Sequence, residues 1–237
     1  MNRPLITLLL FLPAILFSCR KEGPDDNGQV TEPVYLDVNL SSLSYPAPEA
    51  VDLGLSVKWA NCNLGAHKEY ETGYYFAWGE TVPKASFSSG NYAYSNSGGL
   101  IELAPGDDAV RANLGGKWRM PTRWEMWELW DFVANGDGQL KYERRKAASG
   151  KSTVFGAVIS NKTTGRSIFL PCAGRVDGTL IESFGGYGYY WTSSLSRGGA
   201  DGTAGSYCIG IDGTLEVVNE WTCGSFYGMP IRPVCDK

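Results

Sequence analysis

Catalysis requires groups that can be held together: a base beside a nucleophile, two carboxylates, or ligands for a metal. This sequence offers few. Its 237 residues include one histidine, His67, in a loop-like stretch, so a Ser-His-Asp arrangement would rest on that residue alone. The neighbouring carboxylates Asp107 and Asp108, and the spaced pair Glu125 and Glu128, are better accounted for as helix caps and helix surface. No motif selects two of them for glycoside hydrolysis. Six cysteines are present, but no Cys-x-x-Cys, and one histidine cannot complete a zinc set. No catalytic residue, metal or cofactor is therefore expected. What remains is a set of flat or amide-bearing side chains near the C-terminus: Tyr189, Trp191, Tyr207, Asn219, Trp221 and Tyr227. Aromatic rings of this kind stack on sugar rings and anchor protein interfaces. They form the candidate ligand-binding set, with about half expected in the core and Trp191 first among those.

The elements that must position these residues are short. The last fifty residues are rich in aromatic and β-branched types and punctuated by Gly, Ser, Asp and Pro, which is strand and hairpin composition. Asp212-Gly213 between two apolar runs is a hairpin turn signal. Cys208 and Cys223 lie on either side of that hairpin. A disulfide across it and separate buried thiols are both compatible with the sequence. This block is expected to be the sheet on which the earlier chain packs.

Upstream, residues 51–62 alternate as a strand or strand pair, and residues 73–80 form a dense aromatic block expected in the core. Residues 81–105 read as a long surface loop. A short helix is predicted over 107–114, with Asp107 as cap and Gly115 or Gly116 as stop. Thr122 and Glu125 form a capping box for a second helix over 122–134, ending near Asn135-Gly136. Its tryptophans, Trp124, Trp127 and Trp130, are expected on the core face with Met126, Leu129 and Val133. Lys141, Arg144, Arg145 and Lys146 read as a solvated face or the start of a loop. Residues 153–159 read as a strand, 161–165 as a turn and 166–171 as the returning strand. A second long loop is expected after Cys172.

The N-terminus is of another kind. Residues 1–18 carry one cation, Arg3, and an apolar run, then a small residue directly before Cys19. This is secretory-signal composition, too short for a confident membrane span. Cys19 sits where the lipobox of bacterial lipoproteins has its acylated cysteine, so it is the expected lipid attachment site. An ordinary signal peptide is the alternative. Residues 19–48 are polar and proline-bearing and are expected to form a flexible tether. Asp25-Asp26 resembles the acidic signal that sends bacteroidete lipoproteins to the outer face, and also reads as plain linker. The expected location is the outer membrane, held through the lipid alone. The formal net charge of −4 comes with no basic run to follow a phosphate backbone, so nucleic acid is not an expected partner. Residues 49–237 suit one domain. Thirty glycines, eight tryptophans and thirteen tyrosines favour a loop-rich, mostly β domain over a helical bundle.

Six phrases in order carry a family resemblance: Val51-Asp-Leu-Gly-Leu-Ser-Val-Lys-Trp-Ala60, Tyr75-Phe-Ala-Trp-Gly-Glu80, Gly115-Gly-Lys-Trp-Arg-Met-Pro-Thr122, Ile168-Phe-Leu-Pro171, Tyr189-Tyr-Trp-Thr-Ser-Ser194 and Ile231-Arg-Pro-Val234. Together they resemble the Fibrobacter succinogenes major paralogous domain family of bacteroidete lipoproteins. That family looks like a C-type-lectin-like fold, related in architecture to formylglycine-generating enzymes. The resemblance implies an α+β domain: two helices packed on a twisted antiparallel sheet, first and last strands brought together, and long loops. The calcium-binding phrases of sugar-binding lectins are missing, and the surroundings of Cys208 and Cys223 do not match the enzyme's metal cysteines. The expected function is a lipid-anchored cell-surface protein that binds a glycan or protein ligand without catalysis. Alternatives are a variable receptor diversified by a retroelement and an accessory subunit of a surface assembly.

Overall fold

The computed structural model describes residues 32–94, 101–134, 138–149, 152–196, 205–212 and 218–237, without the side chains of 132, 134, 148, 149, 152, 153, 196, 205–212 and 218–223. The chain opens with three short strands, β1 (Val34–Tyr35), β2 (Ala50–Val51) and β3 (Lys58–Ala60). Helix α1 (Ala109–Leu114), strand β4 (Trp118–Arg119) and helix α2 (Arg123–Ala134) follow. Next come β5 (Leu140–Ser149), β6 (Ser152–Asn161) and β7 (Ser167–Pro171), then β8 (Arg175–Asp177) and β9 (Leu180–Glu182). The chain closes with β10 (Tyr187–Ser196), β11 (Gly205–Asp212), β12 (Val218–Cys223) and β13 (Val234–Cys235). The class is mixed α+β. The strands form four antiparallel sheets, ordered β1-β9-β8, β10-β11-β12, β2-β3-β13-β4 and β5-β6-β7. In the third, Val234 stands between Trp59 and Arg119, so the start and the end of residues 50–237 share a sheet.

Most expected elements form, with shifted edges. Residues 51–62 give the pair β2–β3. The helix predicted from Asp107 starts two residues later. Its cap is Asp108, whose carboxylate accepts from the N–H groups of Val110 and Arg111 at 2.8 and 3.0 Å. Asp107 instead ends a 3-10 turn, Pro105–Asp107. The Thr122–Glu125 box forms in both directions: the Thr122 N–H donates to Glu125 Oε2, and the Glu125 N–H to Thr122 Oγ1. The predicted helix end at Asn135-Gly136 lies outside the described residues. Of the two readings of the basic run 141–146, the solvated face holds and the loop start does not: the run lies in β5, with Lys141, Arg144, Arg145 and Lys146 exposed.

Three expectations are corrected. Trp124 and Trp127 are 63 % and 52 % exposed, and of the three tryptophans only Trp130 reaches the core. A step of three residues advances about 300° around a helix, so each tryptophan falls about 60° behind the last. The buried stripe is Met126, Leu129 and Trp130, with Val133 packed on it. The loop expected after Cys172 holds the hairpin β8–β9, in which Arg175 pairs with Glu182 and Asp177 with Leu180. Of the tether expected to run to residue 48, residues 32–48 are described, and they pack on the domain. Val34 and Tyr35 pair with Ile181 and Leu180, and the ring of Tyr45 packs edge-on to Tyr74, 5.4 Å between centroids.

The sheets and helices enclose three apolar clusters. One lies between α2 and the β5–β7 sheet, around Trp59, Leu129, Ile159 and Leu170. A second joins the 73–80 block to β10 and α1, around Phe76, Trp78, Val110 and Trp191. Two indoles fasten it: Trp78 Nε1 donates to the Thr192 carbonyl at 2.9 Å, and Trp191 Nε1 to the Phe76 carbonyl at 2.8 Å. The third, around Tyr75, Phe87, Val176 and Ile181, sits beneath the β8–β9 hairpin. Among the described residues no helix is long and apolar enough to cross a membrane.

Candidate functional site

The hairpin overlooked in the sequence builds the site. Asp177-Gly178 is the same turn signal as Asp212-Gly213. Gly178 takes φ 60°, which a two-residue hairpin loop needs at its first position. The turn returns the chain so that Glu182 faces Arg175, and Arg175 Nε donates to Glu182 Oε2 at 2.8 Å. Gly174, just before, has φ 65°, and a Cβ there would lie 2.3 Å from the Glu182 carbonyl. Only a glycine lets the two strands close at this point.

Arg175 is flanked by rings. Its Cζ stands 4.4 Å from the centroid of Tyr227 and 5.4 Å from that of Tyr189. Tyr189 packs on Tyr187, with centroids 4.9 Å apart, and Tyr227 on Phe226, at 4.4 Å. Tyr189 is 8 % exposed, whereas Tyr187, Phe226, Tyr227, Arg175 and Glu182 are half-buried. Burial opposes the arginine's charge. The hydrogen bond and charge of Glu182, with the two phenols, outweigh it and push the pKa up. The result is a permanent cation lying over two tyrosine rings, an attraction that helps hold them in place. It presents half-buried aromatic surface in a fixed geometry, which suits binding; it sets no base beside a nucleophile.

The candidate residues separate on this map. Tyr189 and Tyr227 meet at Arg175. Trp191 is fully buried and its indole N–H is used by Phe76, so as a ligand contact it is corrected to a core residue. The side chains of Tyr207, Asn219 and Trp221 lie outside the described residues. Their backbones pair Tyr207 with Thr222, Asn219 with Gly210 and Trp221 with Cys208. Cys223 stands opposite Ser206 and not opposite Cys208, so the two cysteines are offset by two positions. Cys19 lies outside the described residues. The thiols of Cys62 and Cys235 are buried and free. His67 sits in an exposed loop, its backbone N–H bonded to Glu71 at 2.8 Å. Among the described residues no group of three acidic, histidine or cysteine side chains could hold a metal.

Sequence reasoning missed Arg175, Glu182, Tyr187 and Phe226. The signal for the first two was available: Val176 and Ile181 alternate apolar with polar on either side of Asp177-Gly178. Comparison with known protein families, with curated proteins and with solved structures found no match.

Proposed function

We propose that the chain is a lipid-anchored surface protein whose domain has the C-type-lectin-like arrangement and binds a glycan or protein ligand without catalysis. The observation that carries this reading is the Arg175 cluster. Rings already stacked on a cation lose little freedom when a ligand settles on them, so more of the contact energy appears as affinity. Support for the fold comes from the meeting of the first and last strands of residues 50–237 in one sheet, beside two helices. Support for the anchor comes from the apolar run before Cys19 and the polar stretch after it.

The test is capture by the full-length protein, from a glycan array and from a cell-surface extract, with calcium and with chelator. Wild type, Arg175→Met and Tyr227→Ala run side by side, with circular dichroism to confirm that each is folded. Specific capture that the two variants lose is the expected result. Equal capture by all three would move the binding face elsewhere. A folded wild type that captures nothing would sink the binding reading itself.

A further inference from the structure

The first short strand, β1, reaches the hairpin that carries the Arg175 cluster. In their sheet β9 lies between β8 and β1. Val34, Ile181 and Val176 stand in one row across the three strands, and the next row holds Glu182 opposite Arg175. Side chains alternate along β1. Val34 and Leu36 turn inward onto the cluster of Phe87, Val176 and Ile181, while Tyr35 between them is 60 % exposed. The Leu36 N–H donates to the Thr179 carbonyl at 2.7 Å. The two strands of the hairpin are thus secured by different means. β8 is tied to the body of the domain: Val176 exchanges backbone bonds with Gly228 at 2.8 and 3.0 Å, and Gly178 with Phe87 at 2.7 and 2.8 Å. β9, which carries Glu182, has the two-residue β1 in the corresponding place.

A strand this short, held by a few bonds and two half-buried side chains, opens at low cost. While docked it limits how far β9 can move from β8, and with β9 the Glu182 carboxylate that accepts from Arg175. Once released, β9 keeps its pairing with β8 but loses the strand that backs Ile181, and the ion pair in the next row gains freedom. A ligand settling on rings that Arg175 orders must then supply that order itself, and it binds more weakly. By linkage, a bound ligand holds the strand down to the same degree. We propose that Val34 and Leu36 are positioning residues for the Arg175 site, docking β1 as a strap that keeps Glu182 on Arg175. The proposal rests on the binding reading of that site. In sequence β1 follows the stretch that leads from Cys19, so a pull on the chain from that side weakens the site.

The experiment measures hydrogen exchange in the full-length, ¹⁵N-labelled protein. The Nε–H signal of Arg175, assigned by its loss in Arg175→Met, reports the bond to Glu182. That of Arg232, which donates to Asn63, reports the rest of the fold, and the Leu36 amide reports docking. The double variant Val34→Asp, Leu36→Asp sets two carboxylates against the apolar cluster, where they lose their water. Tyr35→Asp puts the same group on the outward side of the strand. In the double variant the Leu36 amide and the Arg175 Nε–H should exchange faster while Arg232 keeps its wild-type rate, and capture from the glycan array or surface extract should weaken about tenfold. Tyr35→Asp should match wild type throughout. A Leu36 amide still protected in the double variant would overturn the proposal, as would an Arg175 signal that ignores the strap's release. Equal loosening of Arg232, an equal effect of Tyr35→Asp, or capture that the double variant keeps in full would do the same. If wild type captures nothing while the Arg175 signal answers the strap, the binding reading falls and the strap's hold on Glu182 stands.

Discussion

Two arginines in this domain are held in opposite ways. Arg232 is fully buried and touches no carboxylate: its Nε donates to Asn63 Oδ1 at 2.8 Å, its Nη1 to the Ala60 carbonyl at 3.0 Å and its Nη2 to the Phe169 carbonyl at 2.7 Å. Burial pulls its pKa below arginine's ordinary value, with Tyr190 acting the other way. Arg175 is half-buried, has a carboxylate partner and lies over two rings. Arg232 bolts β3, the Asn63 turn and β7 together by one donor to each. Arg175 orders side chains at a surface that water can still reach. The contrast teaches that a buried cation satisfied by carbonyls acts as structure, while a rim cation satisfied by rings and a carboxylate leaves room for a ligand.

The sharpest break of this comparison is Arg232→Met. It leaves Asn63 Oδ1 and two backbone carbonyls buried without a donor, at about 1–3 kcal/mol each before relaxation. A loss of about 3–5 kcal/mol in urea unfolding is expected. Arg232→Lys should recover only part of it, since one ammonium cannot reproduce the fork. A loss below about 1 kcal/mol would end the structural reading of Arg232. Next in size is Gly174→Ala, which puts a Cβ 2.3 Å from the Glu182 carbonyl at φ 65°. The expected cost is about 2 kcal/mol, with loss of the upfield ring shifts of Tyr189 and Tyr227. Gly178→Ala, whose added Cβ would meet nothing within 4 Å, should cost about 1 kcal/mol from its positive φ alone. Smaller again is Arg175→Met. It forfeits the Glu182 ion pair and the contacts with Tyr189 and Tyr227, about 1 kcal/mol for these, yet should abolish capture. If Arg175→Met destabilised as much as Arg232→Met, the two nodes would be of one kind.

How much of this was legible varies by mechanism. Local signals were read well: the capping box at Thr122 and Glu125, the pair β2–β3, the turn after Asn161 and the aromatic block around Trp78. Each is written within a few residues. The helix tryptophans show where composition misleads. Met126, Leu129, Trp130 and Val133 carry the correct phase, and counting tryptophans instead of phase put Trp124 and Trp127 on the wrong face. Arg175 and Arg232 were invisible for another reason. What a guanidinium meets depends on strands far along the chain: Phe169 lies opposite Val158 in one sheet, while Arg232 follows Ile231 near the C-terminus. The ordered stretch around Val34 was hidden likewise, because its partner β9 belonged to a hairpin read as loop.

A third arginine makes the comparison sensitive to acid. Arg119 forks onto Glu125, with Nη1 to Oε2 at 2.8 Å and Nη2 to Oε1 at 2.6 Å, and reaches exposed Asp236 at 3.0 Å. Glu125 also accepts from the Thr122 N–H at 2.8 Å. Burial alone would raise the Glu125 pKa, but the Arg119 hydrogen bond and the Thr122 N–H overcome it, so the carboxyl sits below its ordinary value. A carboxyl depressed in the folded state stabilises fully above its unfolded value of about 4.3 and loses that contribution as pH falls through the folded one. Below pH about 4 the clamp between β4 and the start of α2 should therefore weaken by about 1 kcal/mol. The first-turn amides of α2 should exchange with solvent faster, relative to the intrinsic rate, than they do at neutral pH. Arg232 donates to an amide oxygen and two backbone carbonyls rather than to a carboxylate, so the protection of amides around Ala60 and Phe169 should stay flat over the same range. Glu125→Gln should remove the acid response of α2 and leave the Arg232 region unchanged. If both regions loosened together, acid would be acting on the whole fold, and the difference between carbonyl-held and carboxylate-held arginines would not govern the response.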